Sequence, residues 1–181
     1  VVAEGFEAGG HNGREETTTL CLIPAVRDAV SIPLLAAGGI GSGRAMVAVE
    51  ALGAEGFQIG SRFAASAESS AHEAYKEAVV RATEGDTVLT LKQVTPVRLI
   101  RNQFYEQVAA AEAGGASAEE LANLLGKGRA RKGIFEGNLE EGELEIGQVA
   151  SMINRIQPAA EIVDELWREY LETKKQICHP A

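Results

Sequence analysis

A histidine in a glycine-rich loop is the residue of this sequence best suited to proton transfer. The loop reads EAGGHNG from Glu7 to Gly13 and follows a short apolar strand at the start of the chain. Histidine is the side chain best suited to proton transfer at physiological pH, and the carboxyl end of a strand is where α/β folds place their ligands. We therefore expect His11 to be catalytic, with Glu7 either orienting it or lying in solvent as a loop acid.

Two further glycine-rich turns favour a phosphate site. AAGGIGSG spans residues 36–43 and QIGSR spans residues 58–62, each directly after an apolar strand. Glycine allows the main chain to approach a phosphate closely, and a following helix N-terminus adds favourable partial charge. Glycine could also serve turn geometry alone. Two such turns on consecutive strands, however, match the site that (β/α)8 barrels build after their last two strands, so we expect a flavin or sugar phosphate here. The sequence GGIGSG lacks the spacing of a dinucleotide fingerprint.

The elements that must position these loops alternate between strand and helix. Strands near residues 1–5, 33–37 and 56–60, with helices at 18–30 and 44–52 between them, predict three parallel strands. Because these strands are apolar throughout, we expect both of their faces to be buried.

The rest of the chain has a mostly helical pattern. We expect residues 79–132 to form a helical lid over the carboxyl ends of the strands, where it would exclude water from a pocket. The predicted elements are helices at 68–83, 99–113, from Ser117 onward, 151–156 and 159–175, with an extended piece at 86–92.

Composition and charge exclude several kinds of partner. The chain has 181 residues, 45% of them hydrophobic, and a net charge of −9. An acidic chain gains nothing from counterion release, so we expect no nucleic-acid partner. No apolar run approaches the roughly 20 residues of a membrane span, so we expect no membrane partner. Cys21 and Cys178 have no metal or redox spacing, which predicts a cytoplasmic protein without a metal site.

Four other chemically capable residues are more typical of ordinary structure. We expect Cys21 to lie in the core, His72 to be solvated on a helix, and His179 to lie in a terminal tail. The acidic run that ends at Glu143 predicts a solvated turn.

The motifs resemble those of the flavin-dependent nitronate monooxygenases and of the related flavin-type enoyl-ACP reductases. The matching segments are EGFEAGGHNG, IPLLAAGGIGSGRAMVAVEALGAEGFQIGSRF and EEGELEIGQVASMINRIQPAAEIVDEL. The resemblance implies an α/β fold, the C-terminal part of a TIM (β/α)8 barrel that binds FMN. Residues 1–66 would hold strands six to eight, residues 67–135 a helical insertion or lid, and residues 136–181 a C-terminal segment with helices that pack back on the barrel.

The resemblance also assigns site residues and a beginning for the chain. His11 matches the active-site histidine of the family. Because the first five strands of such a barrel do not appear, we expect the chain to start inside a larger protein. The cofactor-binding positions implied for FMN are Gly9, Gly10, Gly38, Gly39, Gly60, Ser61 and Gln148.

Three functions follow from these observations. The first is FMN-dependent oxidation of alkyl nitronates, small-molecule substrates, by dioxygen to a carbonyl compound and nitrite. The second is reduction of an enoyl thioester by a nicotinamide cofactor through FMN. Ala8 favours the first, because such reductases more often carry serine there. The third is a non-catalytic half-barrel that works as an assembly module. A homodimer or a companion N-terminal chain would then cover its exposed strand edges.

Overall fold

The computed structural model describes residues 1–178 as a mixed α/β fold with two small sheets. His179, which the sequence predicts to lie in a terminal tail, is outside these described residues. The elements are β1 (Val2–Glu4), β2 (Gly10–His11), α1 (Thr19–Ala29), β3 (Leu35–Ala37), α2 (Gly43–Ala51), β4 (Gly56–Gln58), α3 (Ser61–Ala64), α4 (Glu73–Arg81), β5 (Thr87–Thr90), β6 (Val97–Ile100), α5 (Gln103–Ala113), α6 (Ala118–Leu125), a π-helical turn (Arg131–Phe135), a 3-10 helix (Gln148–Met152) and α7 (Ala159–Cys178).

The first sheet is parallel, as the strand–helix alternation predicts. Its order is β1-β3-β4, and both pairings are parallel. Helices α1 and α2 connect its strands, so the three carboxyl ends meet at one edge of the sheet. The loops that follow these strands are therefore brought together.

The prediction that both faces of these strands are buried holds for the central strand β3, where Ala36 and Ala37 are 0% and 1% exposed, and is wrong for β1 and β4. Ala3 and Ala36 point to the face that the helices cover, where they are 6% and 0% exposed. Val2 on the other face is 46% exposed, and Glu4 and Gln58 are exposed as well. Successive side chains of a strand point to opposite faces, and the described residues cover only one of the two faces fully.

Helix α7 packs closely on α2. Ile162, Leu166 and Tyr170 share a core with the parallel sheet and α2. The carboxylate of Glu169 accepts a hydrogen bond of 2.7 Å from the backbone N–H of Gly43 and so caps the N-terminus of α2. A Cβ atom on Gly43 would lie 2.2 Å from the backbone nitrogen of Tyr170, which explains why glycine occupies this crossing.

A second, antiparallel sheet replaces part of the predicted lid. Its order is β2-β6-β5, so the histidine loop pairs with a hairpin some 90 residues later in the chain. The predicted helix at 99–113 begins instead at Gln103, because Asn102 accepts a hydrogen bond from the backbone N–H of Tyr105 and caps it. Ile100, Phe104 and Val108 have helical spacing, but the first of them lies in β6. The extended piece predicted at 86–92 is confirmed as β5.

Smaller corrections concern ends of elements and one side chain. Helix α4 begins at Glu73 rather than at residue 68, and a 3-10 helix at Gln148–Met152 replaces the helix predicted at 151–156. Cys21 is exposed and not part of the core, because the buried face of α1 is formed by Thr19 and Ile23.

The crossing of α7 on α2 gives a stability prediction. We expect Gly43→Ala to lower the free energy of unfolding by about 1–3 kcal/mol, because the added methyl group overlaps the backbone of α7. Gly114→Ala is the control: Gly114 has a φ of −76°, and its added Cβ would come no closer than 3.4 Å to its neighbours. Thermal and urea unfolding of both variants would test this, and equal losses would contradict it.

Candidate functional site

A cavity of about 230 Å³ lies at the carboxyl ends of the parallel strands. Its walls come from four segments that lie far apart in the chain: residues 4–10, 37–40, 58–64 and 145–149. Glycine backbone forms much of this surface. The predicted site residues that line it are Gly9, Gly10, Gly38, Gly39, Gly60 and Ser61.

The turn after β3 requires glycine at two consecutive positions. Gly38 and Gly39 have φ angles of +84° and +69°, a region that residues with side chains rarely adopt. A Cβ atom on Gly38 would lie 2.5 Å from the carbonyl oxygen of Gly5. The turn therefore presents main chain to the cavity and packs tightly against the loop after β1.

The turn after β4 leaves open space at the N-terminus of α3. A Cβ atom on Gly60 would meet nothing within 4 Å, and no side chain from residues 1–178 caps this helix. The N-terminus of α2, by contrast, is capped by Ser42 and Glu169. The turn at residues 60–61 therefore differs from the turn before α2. Within the described residues, no side chain accepts a hydrogen bond from the backbone N–H groups at the N-terminus of α3.

Glu7 has neither of the two roles considered from the sequence. Its carboxylate accepts hydrogen bonds from the backbone N–H of Thr19 at 3.0 and 3.1 Å and from the Thr19 hydroxyl at 2.9 Å. It is therefore a cap for the N-terminus of α1, where an anion is stabilised by the helix dipole. The Thr19 hydroxyl also lies 2.9 Å from the carbonyl oxygen of Gly38, so one residue joins both glycine loops.

Two buried arginines that the sequence analysis did not identify donate hydrogen bonds to main-chain oxygens of the glycine-rich loops. Arg62 donates to the carbonyl oxygen of Gly41 at 3.0 Å and pairs with Glu165 at 3.3 Å. Arg98 donates to the carbonyl oxygen of Phe6 at 3.0 Å and stacks on its ring, with 4.5 Å between the guanidinium carbon and the ring centroid. The sequence did contain a signal for Arg98, because a charged residue stands within the apolar run VRLI.

His11 lies beside the cavity and does not line it. The residue pairs with Val97 in the second sheet and its side chain is exposed. The charge of His11 acts on two carboxyl groups, those of Glu143 and Glu145, and Glu145 lines the cavity. The imidazole thus has acidic neighbours that the sequence pattern did not suggest.

Glu143 is buried, so the prediction that its acidic run is a solvated turn is wrong at this position. Glu143 is only 7% exposed to solvent. Burial, and after it the charge of Glu145, raise the pKa of Glu143, while His11 and Arg129 lower it, and together these effects bring the pKa to about 7. Burial likewise raises the pKa of Glu145.

Gln148 reaches the site through its backbone. Its N–H donates to the carbonyl oxygen of Glu7 at 3.0 Å. Its exposed side chain lines a different cavity, together with residues 82–87 and Ser151. His72 is exposed, as predicted, and its Nδ1 caps α4. Within residues 1–178 no helix is long and apolar enough to cross a membrane, and no group of three or more His, Cys, Asp or Glu residues could hold a metal ion.

A glycine-lined cavity at the carboxyl ends of parallel strands is typical of α/β proteins that bind phosphorylated ligands. The family model for nitronate monooxygenase matches residues 1–169. The chain therefore belongs to the nitronate monooxygenase family, which consists of oxidoreductases.

Individual relatives agree with this family. A probable nitronate monooxygenase of Staphylococcus saprophyticus is 43% identical over 119 residues, which cover 60% of this chain. FabK from Thermotoga maritima superposes with a TM-score of 0.91 at 40% identity, and a nitroalkane oxidase from Streptomyces ansochromogenes with a TM-score of 0.77 at 33% identity, each over 98% of this chain.

The chain is shorter than the proteins it resembles. The match covers 33% of the Staphylococcus saprophyticus relative, 56% of FabK and 53% of the nitroalkane oxidase.

The buried carboxyl of Glu143 predicts a stability that falls with pH. Because the folded state raises its pKa from 4.5 to about 7, the folded protein binds more protons between these values. The resulting stabilisation is complete below about pH 4.5 and is lost as the pH rises through about 7. We expect Glu143→Gln, which mimics the protonated form, to gain stability relative to the unsubstituted protein between pH 5 and pH 8.

Urea unfolding at several pH values would measure this difference. Glu140→Gln, which removes an exposed acid from the same turn, serves as the control and should show no comparable trend. A difference between Glu143→Gln and the unsubstituted protein that is constant over this pH range would contradict the assignment.

Proposed function

We propose that this chain forms the phosphate-binding part of an enzyme that uses FMN to oxidise alkyl nitronates with dioxygen, giving a carbonyl compound and nitrite. The observation that carries the proposal is the cavity between the glycine turns in a chain of the nitronate monooxygenase family. In this proposal β1, β3 and β4 are strands six to eight of a (β/α)8 barrel. Residues 67–135 are its insertion and residues 136–181 its C-terminal segment.

The residues of the cavity fit a flavin phosphate. The backbone turns at Gly38–Gly39 and Gly60–Ser61 would hold the phosphate, because a side chain at Gly60 would point into open space and no side chain in the described part of the chain caps α3. Gly9 and Gly10 would approach the cofactor from the opposite loop, and Gln148 would contribute through its backbone at most. When bound, FMN would supply the electron acceptor for the nitronate.

His11 would act as the base toward neutral nitroalkanes. A nitroalkane must lose its α-proton before it can be oxidised, and an imidazole is suited to take that proton near neutral pH. Glu143 and Glu145 would stabilise the resulting imidazolium, since both lie close enough for its charge to act on them. The exposed position of His11 leaves room for substrate to approach it.

Enoyl reduction is the second candidate. The similarity to FabK exceeds that to the nitroalkane oxidase, and the enoyl reductase domain of MlnA from Bacillus amyloliquefaciens shares the fold at 15% identity. Ala8, which lines the cavity, favours the first candidate. Nitrite release without NADH supports nitronate oxidation, whereas NADH consumption with crotonyl thioester supports the reductase.

A third proposal concerns partners. The exposed face of the parallel sheet at Val2, Glu4 and Gln58 supports contact with a second copy or a companion chain. If the purified protein is colourless and binds no FMN, the non-catalytic assembly module is the better description.

The open space at Gly60 gives a sharp test of the phosphate site. We expect Gly60→Asp to weaken FMN binding roughly 10- to 100-fold more than Gly60→Asn, because only the aspartate adds a negative charge beside the phosphate. Flavin fluorescence titration would measure both dissociation constants. Riboflavin has no phosphate, so the difference between the two variants should disappear with it. A difference that persists with riboflavin would contradict the placement of the phosphate.

The role of His11 predicts different losses for two forms of one substrate. We expect His11→Ala to lower flavin reduction by neutral nitroalkanes by roughly 10²–10⁴-fold, since the base is lost. A preformed nitronate has already lost its proton and should be affected much less. Stopped-flow absorbance would follow both forms, and FMN should remain bound because the turns at Gly38 and Gly60 are unchanged.

His72→Ala removes an exposed histidine far along the chain and is the matched control. Equal losses with both substrate forms would mean that His11 positions substrate rather than taking the proton. Loss of the flavin would mean that it is a structural residue.

A further inference from the structure

The strand that carries His11 is only two residues long. In this strand, β2, His11 pairs with Val97 of β6. The next residue continues the pairing, because the backbone N–H of Asn12 donates to the carbonyl oxygen of Pro96 at 2.8 Å. A pairing this short gives little stability by itself, since each residue that it fixes loses conformational entropy. The position of His11 therefore depends on further contacts between its loop and the hairpin.

Arg14 makes such a contact three residues after His11. Its guanidinium group donates to the carbonyl oxygen of Lys92 at 3.0 Å through Nη1 and to that of Val94 at 2.9 Å through Nη2. The N–H donors of arginine have fixed directions, so two hydrogen bonds to different carbonyl groups also fix the orientation of the side chain. An ion pair between Lys92 and Glu16 joins the same two segments. The chain after His11 is thus attached to the turn between β5 and β6.

The turn that accepts these hydrogen bonds is itself held firmly. Leu91 is 0% exposed and has a φ of +56°, a left-handed conformation that leucine rarely adopts. Its backbone N–H donates to the carboxylate of Glu112 in α5 at 3.1 Å, and the hydroxyl of Thr90 donates to the same carboxylate at 3.2 Å. Such a conformation persists where the surrounding contacts determine it. Arg14 therefore connects the histidine loop to a part of the fold whose position α5 fixes.

We propose that Arg14 is a positioning residue that holds His11 in place for proton transfer by clamping the histidine loop to the turn between β5 and β6. The inference rests on the proposed function, in which His11 takes the α-proton of a nitroalkane, and adds a residue that acts through His11. Arg14 is not one of the residues that line the cavity. Proton transfer requires the imidazole within hydrogen-bond reach of the substrate, so a displacement of about 1 Å lowers its rate by as much as about 100-fold.

Arg14→Ala in the FMN-loaded protein tests this role. We expect flavin reduction by neutral nitroethane to fall about 10- to 100-fold, and reduction by the preformed nitronate of nitroethane to change much less, because only the neutral form needs the base. Stopped-flow absorbance at several substrate concentrations should show the loss in the rate constant of reduction rather than in substrate affinity. Arg14→Lys should recover part of the loss, since lysine keeps the charge and can donate to a carbonyl oxygen but lacks the planar fork.

Arg27→Ala is the matched control. Arg27 also donates to two main-chain carbonyl oxygens, those of Val30 and Ile32, but it does so at the C-terminus of α1, at the other end of the parallel sheet. This variant should leave both reactions unchanged. In a His11→Ala background, Arg14→Ala should have no further effect on the reaction of nitroethane, because both residues act on one step. Equal losses with the two substrate forms, or an undiminished effect of Arg14→Ala without His11, would overturn the assignment.

A nuclear magnetic resonance measurement without substrate separates this inference from the proposed function. If neither substrate form reduces the flavin in the unsubstituted protein, the proposed function fails, and two resonances then decide the inference. Arg14→Ala should speed hydrogen exchange of the Asn12 amide and move the Cε1–H resonance of His11, whereas Arg27→Ala should change neither. An Asn12 amide that exchanges equally fast with and without Arg14, or a His11 resonance that does not move, overturns the inference.

Discussion

The hydrogen bonds of Glu7 at the N-terminus of α1 hold the walls of the cavity together. The carboxylate binds the backbone and hydroxyl of Thr19, and the same hydroxyl contacts the carbonyl oxygen of Gly38. The backbone carbonyl of Glu7 accepts from the N–H of Gln148. One residue thus connects the loop after β1, the turn after β3 and the segment after residue 145. Hydrogen bonds to a charged group contribute about 1.5–3 kcal/mol each to the stability of the fold, so they can hold together segments that lie far apart in the chain.

The close approach of the glycine backbones depends on these hydrogen bonds of Glu7. A Cβ atom on Gly9 would lie 2.3 Å from the backbone of Ile146, and one on Gly39 would lie 3.2 Å from the side chain of Glu7. At Gly9 the two segments are therefore in contact through their main chains, and at Gly39 the main chain packs directly against the Glu7 side chain. Such packing leaves N–H groups and open space at the surface of the cavity, which is what binding of a phosphate by main chain requires.

The sequence was sufficient to predict the parts of this arrangement that depend on local pattern. The three parallel strands follow from apolar runs spaced by amphipathic helices, and the turns at Gly38 and Gly60 follow from glycine after each run. These signals are local because strand ends and turns are set by a few neighbouring residues.

The parts that sequence missed depend on contacts between residues far apart in the chain. The cap that Glu7 forms needs α1 to begin beside it, and the buried carboxyl group of Glu143 lies within reach of the charge of His11, which comes far earlier in the chain. The sheet β2-β6-β5 joins residues 10–11 to residues 97–98, so neither strand could be recognised from its own short pattern. The role of Arg98 in this sheet could not be predicted for the same reason, since the carbonyl oxygen that it binds lies 92 residues earlier in the chain.

The distribution of charge follows from where the arginines are used. Arg62 and Arg98 are buried and bonded to main-chain oxygens behind the loops, so they stabilise the turns and do not face the ligand. An anion in the cavity would then be held by backbone N–H groups, which are available at the N-terminus of α3 because no side chain among the described residues caps it. The acidic residues of the cavity wall are Glu4, Glu7 and Glu145, and Glu145 lies beside the histidine loop. A phosphate held by main chain in this way would need no cationic side chain from residues 1–178 in the cavity.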